Sequence, residues 1–437
     1  VKTKTSFFAE TIAIGSELLV GGRVDTNSVF IADKLASVGI VLRFKSIVGD
    51  QKQDIAHAIR VAVRRADVVL MTGGLGPTVD DCTREAVASA TGYRLTRRRE
   101  ALDMMTTRLA QWGRTPSPTQ LRQAMIPTGA TVLNNPIGSA PGFSLIWKKA
   151  LLFVLPGVPR EMEPMVVHEV VPRLQAWLSD HRRTSTTPII RQVFHTFGLP
   201  ESDVDAKLRG LLPGGVKIDL GLLASPMEVM VSLTTRGTGA PKHRKAGHGA
   251  MAEDALLPFA REIRARLGDW LFGEGADTLE EVVGRTLSTR GLTLAVAESC
   301  TGGLISHRLT QVPGSSVYLD RGVVCYSNQS KMDMLGVSEK MLARYGAVSA
   351  EVASAMAKGI RERGLVSIGL SVTGIAGPGG ATATKPVGLV YVGLDTGTGG
   401  NKTQEFHFHG DRSTIKLRSS QAALDLLRRW LITSGHT

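Results

Sequence analysis

Three short apolar runs, FAETIAIG (8–15), IVLRFKSIVGD (40–50) and DVVLMTGG (67–74), alternate with two amphipathic helical patterns, DTNSVFIADKLASVG and QDIAHAIRVAVRRA. This alternation leaves one economical solution, a parallel sheet whose right-handed crossovers are helices packed on its faces. The first helical pattern carries its own boundaries: Asp25, Thr26 and Asn27 before it and Gly39 after it.

The remaining chain continues in the same style. A helical pattern runs from Asp80 to Trp112, SLIWKKALLFVLPG reads as a hairpin turning at KKA, and PREMEPMVVHEVVPRLQAWL as an amphipathic helix despite its prolines. The polar stretch SDHRRTSTTP (179–188) is a candidate linker. Residues 189–272 read as a small α+β module: a strand, a helix, a hairpin turning at Ser225-Pro226, the basic Gly-rich loop RGTGAPKHRKAGHG and a closing helix. Thr278 and Glu281 then form a capping box that opens a second α/β domain. A chain of 437 residues accommodates roughly three domains, and the expected division is 1–178, 189–272 and 275–437.

Apolar residues are 43% and charged residues 21%, which excludes disordered and fibrous classes. No run approaches 18 apolar residues, and the N-terminal segment lacks a signal-peptide pattern, so a cytoplasmic protein is expected. Cys82, Cys300 and Cys325 show no metal-ligand spacing and read as free thiols. The net charge of +13 is spread over short runs (97–99, 181–183, 242–245) without interleaved aromatics. That pattern fits a solvated face, or an affinity for phosphorylated small molecules, better than nucleic acid.

The densest chemistry lies in the last domain. Ser299, in AESCTGG, ends an apolar strand just before a glycine-bearing helix start, where ligands of α/β sheets bind. A serine needs a base, and VVCYSNQSKM delivers Tyr326 and Lys331 from another strand end. A third strand end, TGIAGPGG, brings Thr373, Gly374 and Gly377. Strands of one parallel sheet would present all three on one edge. Cys300 is the rival nucleophile, expected instead to pack into the core, and His407 and His409 share a strand face without a third metal ligand.

AESCTGGLISHRLTQVPGSS, RGVVCYSNQSKMDMLGV, YGAVSAEVASAMAKG, VTGIAGPGG and KPVGLVYVGL resemble the nicotinamide mononucleotide (NMN) deamidase domain of the competence/damage-inducible CinA family. The resemblance implies an α/β amidohydrolase converting NMN to nicotinate mononucleotide and ammonia, without a cofactor. By motif, Ser299 is the nucleophile, Lys331 the base, Tyr326 an assistant and Glu298 an orienting group. Backbone amides near Thr301 and Gly302 would hold the oxyanion, with Gly303 beside them in substrate binding. Thr373, Gly374, Gly377 and Arg412 would hold the ribose phosphate. The chain departs from the family after GPGG, where ATAT replaces the usual acidic residues.

At the other end, GSELLVGGRVDTNS, IVGDQ, MTGGLGPTVDDCTREA, NNPIGSAPGF and LPGVPREM form a second set. Bottom-up, GGLGPT is a glycine-rich turn followed by Asp80 and Asp81, which either cap a helix or hold a metal against a phosphoryl group. The set resembles the N-terminal domain of the same family, similar to molybdopterin-binding domains, which implies a three-layer α/β fold and a metal-dependent ADP-ribose pyrophosphatase. Gly73, Gly74 and Gly76 would cradle the diphosphate. Asp80, Asp81, Glu17 and Asp25 would serve a divalent ion such as cobalt, magnesium or manganese, with potassium also associated. The resemblance further implies a homodimer. Two alternatives stand beside this reading: a binding or regulatory protein of DNA uptake and damage, and a deamidase whose first domain only binds nucleotide.

Overall fold

The computed structural model describes residues 7–181, 189–236, 248–397 and 400–434. Most of the candidate linker 179–188 and of the basic loop 236–249, with the charge run 242–245, lie outside them. The chain divides into two compact units, the first built mainly from residues up to Ile190, the second from Arg191–Thr234 and from Leu256 onwards.

In the first unit β1 (Phe8–Ile14), α1 (Ser16–Leu19), α2 (Asn27–Ser37), β2 (Val41–Val48), α3 (Lys52–Arg65) and β3 (Val68–Thr72) follow the expected alternation. The segment after β3 departs from it. Instead of one helix from Asp80 to Trp112, α4 (Thr83–Thr91) stops at Gly92, whose φ of 81° ends the helix, and β4 (Leu95–Arg97) precedes α5 (Arg99–Gln111). β5 (Met125–Pro127) pairs with β4. β6 (Thr131–Leu133), β7 (Gly142–Trp147) and β8 (Ala150–Leu155) complete a six-stranded sheet in the order β2-β1-β3-β8-β7-β6, with β7 and β8 forming the expected hairpin. α6 (Pro159–Met165) and α7 (Val171–His181) are joined by a π-helical turn at Val166–Val170.

The central strands are buried on both faces. In β3, Val69 and Met71 join the core made with α3 and α4, while Val68 and Leu70 join the one made with α2 and α6. That is the three-layer arrangement expected of a parallel sheet covered on both sides.

The small module belongs to the same compact unit as the last domain. β9 (Ile189–Thr196), α8 (Glu201–Leu208), β10 (Ile218–Ala224), β11 (Val229–Arg236), α9 (His248–Leu267) and β12 (Leu271–Glu274) give a sheet ordered β10-β11-β9-β12. The capping box at Thr278 opens α10 (Leu279–Arg290) as expected. Then come β13 (Leu294–Glu298), α11 (Leu304–Gln311), β14 (Leu319–Val324), α12 (Asn328–Leu335), α13 (Glu339–Tyr345) and α14 (Ala350–Gly364). β15 (Ile368–Gly374), β16 (Leu389–Asp395), β17 (Asn401–His407) and α15 (Arg412–Thr433) follow. The sheet order is β14-β13-β15-β16-β17, its first three strands parallel and the rest antiparallel. The buried Arg428 of α15 donates to the carbonyls of Asp269 and Leu271, fastening the module to the domain. No described helix is long and apolar enough to cross a membrane.

Candidate active site

Because β14, β13 and β15 run parallel, their carboxyl ends bring Ser299 together with Lys331 and the 373–377 loop. Ser299 donates its amide to the Val372 carbonyl (3.0 Å), which seats it on β15. Lys331 enters from the first turn of α12, where Ser327 caps the helix by accepting from the Ser330 amide. Its Nζ lies 3.1 Å from Ser299 Oγ, and it donates to the carbonyls of Cys325 (2.9 Å) and Tyr326 (3.1 Å).

Lys331 is only 1% exposed and Ser299 7%, so this pair is a buried amine facing a buried hydroxyl. Burial pushes the Lys331 ammonium below its ordinary value. Once deprotonated, the amine would have two N–H bonds for the two carbonyls and a lone pair for the serine hydroxyl. Cys300, packed in the core beside α11, has its thiol pushed up to about 12 by burial. A thiol held protonated by burial is a poor nucleophile.

Other expected site residues are placed differently. Glu298 does not join the Ser299–Lys331 pair. Its buried carboxylate accepts from the amides of Gly303 (3.0 Å), Ile305 (3.1 Å) and Ser306 (2.8 Å) and from the Ser306 hydroxyl (2.7 Å), which pins the start of α11. The Gly303 amide is therefore committed, and the Gly302 amide donates to the Ser299 carbonyl (3.2 Å). Thr301 is buried with its hydroxyl unpartnered among the described residues. Thr373 donates its hydroxyl to the Ala347 carbonyl (2.8 Å).

Tyr326 offers Lys331 its carbonyl, while the residue is 60% exposed and its hydroxyl accepts from Arg412 (3.0 Å). Arg412 also donates to the Gly377 carbonyl (2.6 Å), tying two rim loops to the start of α15. Gly374 lies against Leu389 and Val390, where a Cβ would clash with backbone. Sequence reasoning missed Lys416, one turn along α15 from Arg412, whose Nζ stands 3.4 Å from where a Cβ on Gly302 would be and which has no ion pair among the described residues. Its i, i+4 spacing from Arg412 was the available signal.

The first unit holds a cleft of about 800 Å³ at the carboxyl ends of β1 and β3. Gly73 (φ 111°) and Gly74 (φ 65°) turn the chain from β3 toward α4. A Cβ on Gly73 would stand 2.2 Å from the Ile14 carbonyl oxygen, so only glycine fits this close approach. Gly76 is packed on Asp81, whose carboxylate accepts from the Thr78 amide (2.9 Å) and hydroxyl (2.5 Å). Glu17, Asp25, Asp80 and Asp81 all line the cleft. The metal expectation goes no further, since among the described residues no three His, Cys, Asp or Glu side chains come together as a metal-holding group. Asp25 is spent on the Ser28 amide (3.0 Å) at the start of α2. These residues do not form a preassembled metal site.

A molybdopterin-binding-like three-layer domain, a small sheet module and an α/β domain with a buried serine–lysine pair together define a class of multidomain α/β proteins. Comparison with known families agrees domain by domain. Residues 10–176 match the "Probable molybdopterin binding domain", 191–273 the "Damage-inducible protein CinA KH domain" and 276–431 the "CinA C-terminal domain". A relative from Moorella thermoacetica, named among competence-damage inducible proteins, is 45% identical over 423 residues, 97% of this chain and 98% of that one. A "CinA-like protein" of Geotalea uraniireducens is 40% identical over 423 residues, 97% of each. The crystal structure of the competence/damage inducible protein CihA from Agrobacterium tumefaciens is 42% identical over 35% of this chain and 94% of its own, with a TM-score of 0.33. The chain belongs to the CinA family.

Proposed function

We propose that the last domain hydrolyses the carboxamide of NMN to nicotinate mononucleotide and ammonia. The observation that carries this reading is the 3.1 Å approach of Lys331 Nζ to Ser299 Oγ inside a buried site. Neutral Lys331 takes the hydroxyl proton as Ser299 Oγ attacks the amide carbon. The resulting tetrahedral oxyanion collapses, the C–N bond breaks, and the Lys331 ammonium returns the proton to departing ammonia. Water, deprotonated by the same amine, then attacks the acyl ester, releasing the carboxylate and restoring Ser299. Arg412 and Lys416, at one end of α15, supply positive charge for a ribose phosphate. The test is ammonia release from NMN, with chelator present, by wild type, Ser299→Ala, Lys331→Ala and Cys300→Ala. Only wild type and Cys300→Ala should turn over, and a wild type without ammonia release would refute the reading.

A second activity, hydrolysis of ADP-ribose in the first unit, is supported by the cleft's volume and its glycine turn. A divalent ion would supply charge neutralisation for the diphosphate there. AMP release that chelator abolishes would support this reading, and its absence would leave that domain a nucleotide-binding one. The family's competence name favours DNA instead, which steeply salt-dependent DNA retention would reveal.

A further inference from the structure

We infer that the cleft of the first unit is a nucleotide site whose base end is Trp112, stacked beneath the ring of the ligand. This rests in part on the ADP-ribose reading but needs only a nucleotide, not its hydrolysis. Trp112 caps the C-terminus of α5, and Gly113 (φ 68°) turns the chain away behind it. Among the described residues it is the one aromatic side chain lining the cleft, and it is 48% exposed. Its ring lies against no other aromatic ring or cation among the described residues. The other lining side chains are aliphatic, small, polar or charged, Arg23 and several carboxylates among them. An indole held at the end of a rigid helix provides a flat face at little entropic cost.

An independent observation points to the sugar. Asn27, at the start of α2, lines the same cleft and donates Nδ2 to the Gly157 carbonyl (2.8 Å). A carbonyl only accepts, so the nitrogen must face Gly157 and the orientation of the amide is fixed. Oδ1 is left buried with no donor among the described residues. Gly157 in turn abuts Gly73, a Cβ on it standing 3.2 Å from the Gly73 Cα, so Asn27 neighbours the glycine turn. An orphan acceptor there calls for an O–H or N–H, which phosphate oxygens do not offer and a ribose hydroxyl does. A glycine turn, an acceptor and a flat ring match phosphate, ribose and base.

The experiment is calorimetric titration of the full chain with ADP-ribose, AMP and ribose 5-phosphate under chelation, using wild type, Trp112→Ala and Trp112→Phe. Trp112→Ala should weaken AMP and ADP-ribose by roughly tenfold or more, the usual worth of one base–aromatic stack, and leave ribose 5-phosphate unchanged. Trp112→Phe, which keeps a ring, should stay within a few fold of wild type. Equal weakening of all three ligands, or none, would overturn the assignment, as would a wild type that binds none of them. Wild type that binds AMP through Trp112 but never hydrolyses ADP-ribose would uphold it while removing the diphosphatase reading.

Discussion

Glu298→Gln separates positioning from chemistry at the serine site. The wild-type carboxylate serves four donors, two on each oxygen. In the amide, the NH2 group is best turned toward Ser306, whose hydroxyl can rotate to accept from it. The Ser306 N–H cannot, and is left facing another donor. One orphaned N–H costs about 1–3 kcal/mol, and the lost negative charge at the start of α11 adds about 0.3–1 kcal/mol. A total of roughly 1.5–4 kcal/mol should appear as a lower urea midpoint with unchanged slope for the second unit. Faster hydrogen exchange should localise to the amides of 303–306. Measured well below its unfolding transition, the variant should keep the wild-type shape of its pH–rate profile. Unchanged stability and exchange combined with lost ammonia release would refute the positioning role and give Glu298 a part in the chemistry.

Since burial lowers Lys331 from its ordinary 10.5, ammonia release should rise with pH through that lowered value as the amine is freed, and a flat profile would exclude Lys331 as base. The same group makes wild type gain stability as pH climbs from the lowered folded value toward the unfolded one, because the unfolded chain binds the proton more tightly there. Lys331→Met should lack that slope in urea titrations at several pH values. Gly73→Ala should destabilise the first unit well beyond Gly92→Ala. Both positions have positive φ, but a Cβ meets the Ile14 carbonyl at the former and open space at the latter. Gly92→Ala thus isolates the conformational cost of about 1–2 kcal/mol, and equal denaturation midpoints would refute the clash. Chelator should suppress AMP release from ADP-ribose while leaving ammonia release from NMN untouched, as parallel assays would show.

Strand–helix alternation and the three strand ends could be read from the sequence because they follow from burial periodicity and the geometry of parallel sheets. The pairing of Ser299 with Lys331, 32 residues apart, was reachable for the same reason. Local competition was not legible. Nothing in the pattern from Asp80 to Trp112 showed that Gly92 would end a helix and let β4 pair with β5. Glu298 is expected by resemblance to orient the serine site, yet successive strand residues point to opposite faces, and its carboxylate holds the start of α11 instead. The four carboxylates of the first unit, expected to serve one metal ion, do line one cleft, but the commitment of Asp25 to the Ser28 amide depends on where α2 begins and was not legible. Thr373 illustrates the same limit, since its hydroxyl is claimed by a carbonyl 26 residues away.

The fastening of the small module by Arg428 has a consequence for synthesis. Arg428 and the Leu271 carbonyl it engages are 157 residues apart, so a ribosome finishes the module's β12 long before the partner side chain leaves the exit tunnel. At elongation rates of about 5–20 residues per second, that interval is roughly 8–30 s. Until it closes, the module waits with its joint unmade, exposed to proteases and to wrong partners, and truncations that remove α15 would leave it permanently in that state.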